Sequence, residues 1–253
     1  MIDKIYQSQK SYPLVCKTPA FIRRFIVYSL FFIRKKNLKS LKTPKVITFF
    51  VTNRCNARCN HCFYWKNINK LRKEELNLDQ IKKIAQSLKH SLTTLLITGG
   101  EPFLREDLFK ICKIFEKYNK TSKIVIPTNG YFSEEIYKTI KKIVEETNLN
   151  VDVNISIDGL DKTSSKIRGI KDIFTNYEET IRLLKSIKNK RFHPAILTTI
   201  STDNYSEILD LLKYNNQHWR LPHRFQYIRS CNEVYNIDPE IVQGFFQRNK
   251  KTS

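Results

Sequence analysis

The chain of 253 residues is 41% hydrophobic and 27% charged, which suits a folded protein with a core and excludes a generally disordered one. Its six cysteines are too few for a disulfide scaffold of this length. We find no secretory signal and no apolar run long enough to span a bilayer as a helix, so we expect a cytoplasmic protein. The net charge of +21 attracts nucleic acid, anionic lipid or acidic substrates without choosing among them.

The N-terminal segment, residues 1–45, is a basic extension. It carries eleven Lys or Arg against the single acid Asp3, a net charge of +10. Within it, residues 21–36 place basic pairs on either side of an aromatic-rich run. Two interpretations stay open: a helix lying on an anionic membrane surface, or a helix packed against the rest of the protein with a solvated basic edge. We expect weak contact with an anionic membrane or with RNA through this segment.

From residue 46 onward, strand-like and helix-like segments alternate. The β-branched and aromatic run 46–52 predicts the first strand, and Asn77 is placed to cap the first helix. Ser133 is expected to cap a later helix, with two glutamates in its first turn. Further strands are predicted at 94–98, 123–126, 151–157, 196–201 and 225–228, and further helices around 108–115, 174–184 and 208–212. The pattern predicts an α/β fold, a partial (β/α)6 barrel with a parallel sheet.

In parallel α/β sheets, ligands bind at the C-terminal ends of the strands. Polar segments follow each of the first four predicted strands. They are the cysteine loop 55–62, the turn 99–102, the segment 128–130 and the segment 156–159. We therefore expect these four segments to meet at one rim of the sheet.

The first of these segments contains Cys55, Cys59 and Cys62 in the pattern C-x3-C-x2-C. Cysteines spaced this closely can direct three thiolates at one small inorganic centre. A four-iron cubane normally takes four thiolates, so three would leave one iron open to a substrate or cofactor. The alternative is a zinc site made by the three cysteines and His61. The position of the loop after a first strand, with a glycine motif after the second, favours the cluster.

The glycine motif is Gly99, Gly100, Glu101 and Pro102. The glycines allow the backbone to approach a ligand where a Cβ would obstruct it, and the proline fixes the exit from the turn. Glu101 offers a carboxylate to an ammonium group. By itself, without the cysteines, the motif would indicate an ordinary turn that opens a helix.

Together, the two motifs resemble the radical S-adenosylmethionine (SAM) superfamily. The cysteine loop followed by three aromatics, residues 63–65, is similar to that family's cluster loop, and residues 98–102 are similar to its GGEP motif. The resemblance, which runs from about residue 46 to residue 230, is closest in style to peptide- and protein-maturing members. It implies a [4Fe–4S] cluster on Cys55, Cys59 and Cys62, whose open iron chelates SAM. It also implies reductive cleavage of SAM to a 5′-deoxyadenosyl radical, which acts on a small-molecule or peptide substrate, and a flavodoxin- or ferredoxin-like one-electron donor.

The resemblance also suggests SAM-binding residues. Besides Gly99, Gly100, Glu101 and Pro102, it implies that Ser156 and Asp158 contact the ribose and that Arg168 approaches the SAM end of the site. For Ser156 and Asp158 the alternative is a structural polar network, and for Arg168 a solvent-facing side chain. Weaker candidates are Asn129 and Thr199, near the ends of the third and fifth strands.

The predicted domains are the extension 1–45, the radical SAM core 46–230 and a tail 231–253. Related enzymes often carry a cysteine-rich C-terminal extension, whereas here only Cys231 follows the core. The tail is therefore either the end of a minimal enzyme or the start of an extension that this chain lacks. Two other functional classes stay open: an RNA-binding or RNA-modifying protein, suggested by the charge, and a non-catalytic zinc or iron–sulfur protein.

Overall fold

The computed structural model describes residues 44–70, 75–88 and 92–228. Within them, six strands form one fully parallel sheet in which each strand pairs with the next along the chain. The strands are β1 (Val46–Thr52), β2 (Thr94–Gly99), β3 (Lys123–Thr128), β4 (Asn150–Ser156), β5 (Phe192–Ile200) and β6 (His223–Tyr227). This order confirms the predicted partial barrel.

Helices connect the strands. They are α1 (Leu78–Ser87), α2 (Leu108–Asn119), α3 (Ser133–Glu146), α4 (Asp161–Arg168), α5 (Ile173–Ser186) and α6 (Ile208–Tyr214). Short 3₁₀ helices span Pro102–Leu104 and Tyr205–Glu207, and a π-helix spans Asn215–Trp219. Helix α4 was not predicted, because only three of its eight residues are buried and they form no apolar stripe. Among the described residues, no helix has the length and apolarity needed to cross a membrane.

The helix starts show one correct and one wrong prediction. Asn77 caps α1 as expected, because its side chain accepts from the Gln80 amide while the Gln80 side chain accepts from the Asn77 amide. Ser133 does not cap α3, which has Phe132 at its N-cap position. The Ser133 hydroxyl instead joins α5, donating to the Asn176 carbonyl and accepting from Thr180. Contact with a neighbouring helix has replaced the local cap.

The two faces of the sheet have different chemistry. One face packs under the helices, and its side chains are fully buried: Leu95, Ile97, Ile124, Ile126, Val151, Val153 and Ile155. The opposite face alternates with it along each strand and carries polar residues at the centre of the sheet, notably Asp152 and Asn154 on β4. This polar inner face leads up to the rim at which the strands end.

Candidate active site

The loops after β1 and β2 are joined by backbone hydrogen bonds. The Gly100 amide donates to the Thr52 carbonyl at 2.9 Å, and the Glu101 amide donates to the Arg54 carbonyl at 2.8 Å. The cysteine loop therefore begins against the glycine turn, as the rule for strand ends predicts.

The two glycines are required by this contact. Gly99 has φ of +148°, and a Cβ added there would lie 2.3 Å from the Thr52 carbonyl oxygen. A Cβ on Gly100 would lie 2.1 Å from the Arg54 carbonyl oxygen. The sequence interpretation assigned these glycines to the approach of a ligand. In the structure, the backbone atoms on the Cβ side belong to Thr52 at the end of β1 and to Arg54 just before Cys55, so the glycines first of all position the start of the cysteine loop.

Beyond the glycine turn, the cysteine loop is held on two sides. Cys55 and Asn69 exchange two hydrogen bonds of 2.9 Å each, from the Cys55 amide to the Asn69 side chain and from that side chain to the Cys55 carbonyl. On the other side, the Arg58 amide donates to the Arg168 carbonyl at 2.9 Å, and the Asn60 amide donates to the Ile167 carbonyl at 2.9 Å. The C-terminal end of α4 thus braces the middle of the loop.

The three thiols are half-buried. Burial raises the pKa of the Cys55 and Cys62 thiols to about 11. Metal binding at such a site releases protons, because the thiolate is the ligand. Three thiolates on one loop fit a [4Fe–4S] cluster, since each would bind its own iron and leave the fourth iron open.

The position of His61 favours the cluster over the zinc alternative. Within the described parts of the chain, no three His, Cys, Asp or Glu side chains are grouped closely enough to hold one metal ion. A cubane does not need such convergence, because its cysteines bind different irons. His61, the fourth ligand in the zinc alternative, directs Nε2 at Oδ2 of Asp158, 3.4 Å away.

A buried ion pair, formed by Arg168 and Asp158, lies next to Cys59. Nη2 of Arg168 is 2.5 Å from Oδ2 of Asp158, and Nη1 of Arg168 donates to Sγ of Cys59 at 3.6 Å. Burial alone would lower the pKa of Arg168, but the Asp158 carboxylate and Cys59 outweigh that effect and raise it. Arg168 is therefore a buried cation beside the cysteine loop and not a solvent-facing side chain, and its approach to SAM stays a prediction.

Asp158 is enclosed by protein groups. Its side chain has no exposed surface. Oδ1 accepts from the Thr199 amide at 2.8 Å, and Oδ2 pairs with Arg168. The ribose contact stays a prediction for Asp158, one that this geometry does not favour. Ser156 is half-buried at the end of β4, and for it the same prediction stands.

Glu101 is buried and well bonded. Oε1 accepts from the Thr128 hydroxyl at 2.9 Å and from the Phe103 amide at 3.3 Å, and Oε2 accepts from the Asn129 amide at 2.7 Å. Burial raises its pKa to about 7, although the three hydrogen bonds act in the opposite direction. The carboxylate connects the ends of β2 and β3. Three of its roughly four acceptor positions are used, and contact with the methionine ammonium stays a prediction.

The other residues that the sequence analysis singled out have different surroundings. Pro102 is the first residue of a short 3₁₀ helix, so the motif does open a helix as well as seat the loop. The Asn129 side chain donates to the Asn56 side chain at 2.7 Å, which ties β3 to the cysteine loop. Cys112 is fully buried in α2 and belongs to the core. Cys16 and Cys231 lie outside the described residues.

Sequence reasoning missed two residues that hold the site. Asn69 bonds Cys55 across a loop whose length the motif does not specify. Arg105 is buried and donates to the carbonyls of Val51 and Leu76, which anchors the end of β1. The nearby carboxylate of Asp107, 2.5 Å from Nε of Arg105, was the available signal in the sequence.

Comparison with curated proteins finds related enzymes. The chain is 32% identical over 166 residues to GTP 3′,8-cyclase of Aliarcobacter butzleri, which covers 64% of this chain and 50% of the relative. It is 30% identical over 174 residues to pre-heme d1 synthase of Dinoroseobacter shibae, covering 68% of this chain and 40% of the relative. The chain therefore spans about half the length of these relatives or less.

Solved structures show the same fold at low sequence identity. Streptococcus suis SuiB bound to S-adenosylmethionine has a TM-score of 0.60 and 16% identity, covering 87% of this chain and 50% of that chain. anSMEcpe with bound AdoMet and the Cp18Cys peptide has a TM-score of 0.58 and 18% identity, covering 80% and 57%. The sequence model of the radical SAM superfamily matches residues 49–214, and the chain belongs to that superfamily.

Proposed function

We propose that Cys55, Cys59 and Cys62 hold a [4Fe–4S] cluster at which the chain reductively cleaves SAM. The superfamily to which the chain belongs uses this cluster and SAM. The observation that carries the proposal is the seating of a three-cysteine loop between the glycine turn after β2 and the end of α4, at the C-terminal rim of a parallel sheet.

The cluster, when bound, supplies one electron to the sulfonium of SAM, which yields methionine and a 5′-deoxyadenosyl radical that abstracts hydrogen from a substrate. The protein's own part is to position the reactants. The glycine turn holds the cysteine loop, and we propose that Gly99 to Pro102 with Ser156 line the SAM site. Arg168 places a fixed positive charge beside Cys59.

The substrate is proposed to be polar, because the inner face of the sheet is polar. Arg224 on β6 donates to the Asn154 side chain at 2.7 Å and lies 3.2 Å from Asp152, and Gln226 donates to Thr199 at 2.9 Å. The relatives suggest two classes. One relative is named for GTP, whereas the peptide complexes of SuiB and anSMEcpe suggest a peptide substrate.

We propose two kinds of partner. A flavodoxin- or ferredoxin-like protein would supply the electron. Residues 1–45, most of which lie outside the described residues, carry the charge for weak contact with an anionic membrane or RNA. A salt-dependent loss of vesicle or RNA binding on deletion of residues 1–43 would support this contact. Unchanged binding to both would contradict it.

The function is tested with chain purified and reconstituted under anaerobic conditions. Iron, sulfide and zinc analysis separates the cluster from a zinc site. Incubation with SAM and a strong reductant should then give 5′-deoxyadenosine, and the triple Cys→Ala variant should give none. Iron-free, zinc-containing protein would overturn the proposal. The rates of 5′-deoxyadenosine formation with added GTP and with an added peptide are then compared. A higher rate with GTP would favour a nucleotide substrate, and a higher rate with the peptide would favour a peptide substrate.

A further inference from the structure

Arg168 at the end of α4 and Asp158 in the segment after β4 form a charged pair next to Cys59, one of the three proposed cluster ligands. Arg168 is 7% exposed and Asp158 is 0% exposed. The guanidinium of Arg168 lies between Asp158 and Cys59. One of its nitrogens is 2.5 Å from the Asp158 carboxylate, and another is 3.6 Å from Sγ of Cys59. Such a fork needs an arginine, since a lysine ammonium cannot bond both partners in fixed planar geometry.

The pair is fixed from several sides. The Arg168 carbonyl accepts from Arg58 in the cysteine loop, so the same residue holds the loop by its backbone and faces a thiol with its side chain. Oδ1 of Asp158 accepts from the Thr199 amide on β5. His61 adds a ring nitrogen 3.4 Å from Oδ2 of Asp158. Neither charge is able to move away without breaking these contacts.

A buried charge beside a cluster ligand changes the energy of cluster reduction. One-electron reduction adds a negative charge to the cluster. A cation and an N–H···S hydrogen bond at a ligand sulfur stabilise that reduced state, and a carboxylate destabilises it. Burial strengthens both effects, because solvent and salt screen buried charges weakly.

We propose that Arg168 and Asp158 are a positioning pair that sets the reduction potential of the cluster through Cys59. Arg168 raises the potential, and Asp158 holds the guanidinium in place while offsetting part of its charge. The inference rests on the proposed function, because it needs the cluster on the three cysteines. The two charges must then act in opposite directions, which a purely structural brace does not require.

The test measures the potential of the reconstituted full chain without SAM, from the EPR signal of the reduced cluster at controlled ambient potentials. For Arg168→Met we expect about a tenfold lower ratio of reduced to oxidised cluster at a fixed potential, equivalent to a midpoint about 59 mV lower. Asp158→Asn should raise the midpoint. Arg168→Lys, which keeps the charge, should lie closer to the wild type than Arg168→Met does. Lys166→Met removes an exposed charge from the same helix and should leave the midpoint unchanged.

Each other result contradicts the proposal. Unchanged midpoints, or shifts of Arg168→Met and Asp158→Asn in the same direction, would overturn it. If Arg168→Met failed to retain a cluster, Asp158→Asn would decide, and an unchanged or lower midpoint would overturn the proposal. Loss of the cluster from all three variants of the pair would mean a structural brace only. A wild-type chain that binds no cluster would overturn the proposed function itself, which is a distinguishable failure.

Discussion

The backbone amide of Asn129 donates a 2.7 Å hydrogen bond to Oε2 of Glu101, and this bond joins the turn after β2 to the segment after β3. Glu101 is 1% exposed, so its carboxylate is a structural link within the rim. The glutamate therefore has two possible contributions, one to the shape of the rim and one to SAM, and a single substitution will affect both.

Glu101→Gln replaces one acceptor oxygen by an amide donor that must face a backbone N–H or the Thr128 hydroxyl. We expect the free energy of unfolding to fall by about 1–3 kcal/mol, because a buried donor loses its partner. SAM affinity should fall by about one to two orders of magnitude. Urea unfolding and equilibrium SAM binding, with cluster content measured alongside, check both effects.

Glu106→Gln is the matched control, because it makes the same change at an exposed position five residues further along the chain. It should behave as the wild type in both measurements. Wild-type SAM affinity in Glu101→Gln, at full cluster content, would mean that Glu101 has no part in SAM binding.

Gly100→Ala should displace the cysteine loop. The added methyl would lie 2.1 Å from the Arg54 carbonyl oxygen, a backbone atom that cannot yield without moving the loop. We expect a large loss of cluster content in addition to lower stability. Gly130→Ala is the control: it has φ of +73°, but its new methyl meets only side chains, at 3.1 Å. Iron and sulfide content should fall sharply in the first variant and little in the second.

Removal of any one ligand should abolish stable cluster binding. Cys55→Ala, Cys59→Ala and Cys62→Ala each take away a thiolate from a site that offers three. Cys112→Ala, a change in the core of α2, should keep the cluster and affect only stability. Iron and sulfide analysis after anaerobic reconstitution measures the cluster content of each variant. Full occupancy in the triple variant would contradict the assignment of the ligands.

The sequence predicted the sheet well because its signals are local. Strand β1 was predicted with the bounds that the structure has, Val46–Thr52, since its β-branched and aromatic residues are continuous. The cysteine and glycine motifs were informative for a similar reason: each is a short run, and parallel topology alone brings the two runs to one rim.

What sequence could not predict depends on contacts between distant residues. Arg168 lies 109 positions from Cys59, and from the sequence alone its side chain was nearly as compatible with a solvent-facing position. Asp158 alternates correctly with the inner-face residues of β4, yet its carboxylate turns to Arg168 and to the Thr199 amide. Ser133 had every local mark of a cap and instead bonds α5. In each case tertiary hydrogen bonding overrode the local pattern.

A half-buried histidine away from the site predicts an acid-sensitive stability. Nε2 of His223, at the start of β6, is 2.8 Å from the Thr198 hydroxyl. The Thr198 hydroxyl uses its one proton to donate to the Ile157 carbonyl, so it accepts a hydrogen bond from Nε2 of His223. Nδ1 is buried without a hydrogen-bond partner in the described part of the chain. Burial lowers the pKa of His223 from 6.5 to about 4, because a second ring proton would be buried without an acceptor.

Between pH 6.5 and 4 the folded chain therefore binds fewer protons at His223 than the unfolded chain does. The stabilising contribution of the neutral ring is complete above pH 6.5 and is lost as the pH falls toward 4. His223→Gln keeps a donor for Thr198 but does not titrate. We expect the wild type to lose unfolding free energy relative to this variant as the pH falls below about 6, by an amount that solvent screening of the half-buried ring reduces. Anaerobic urea unfolding from pH 7.5 down to 5.5 measures the difference, with His193→Gln, at an exposed position of β5, as the control. Parallel curves for the wild type and His223→Gln over this range would show that His223 is protonated equally in the folded and unfolded chain.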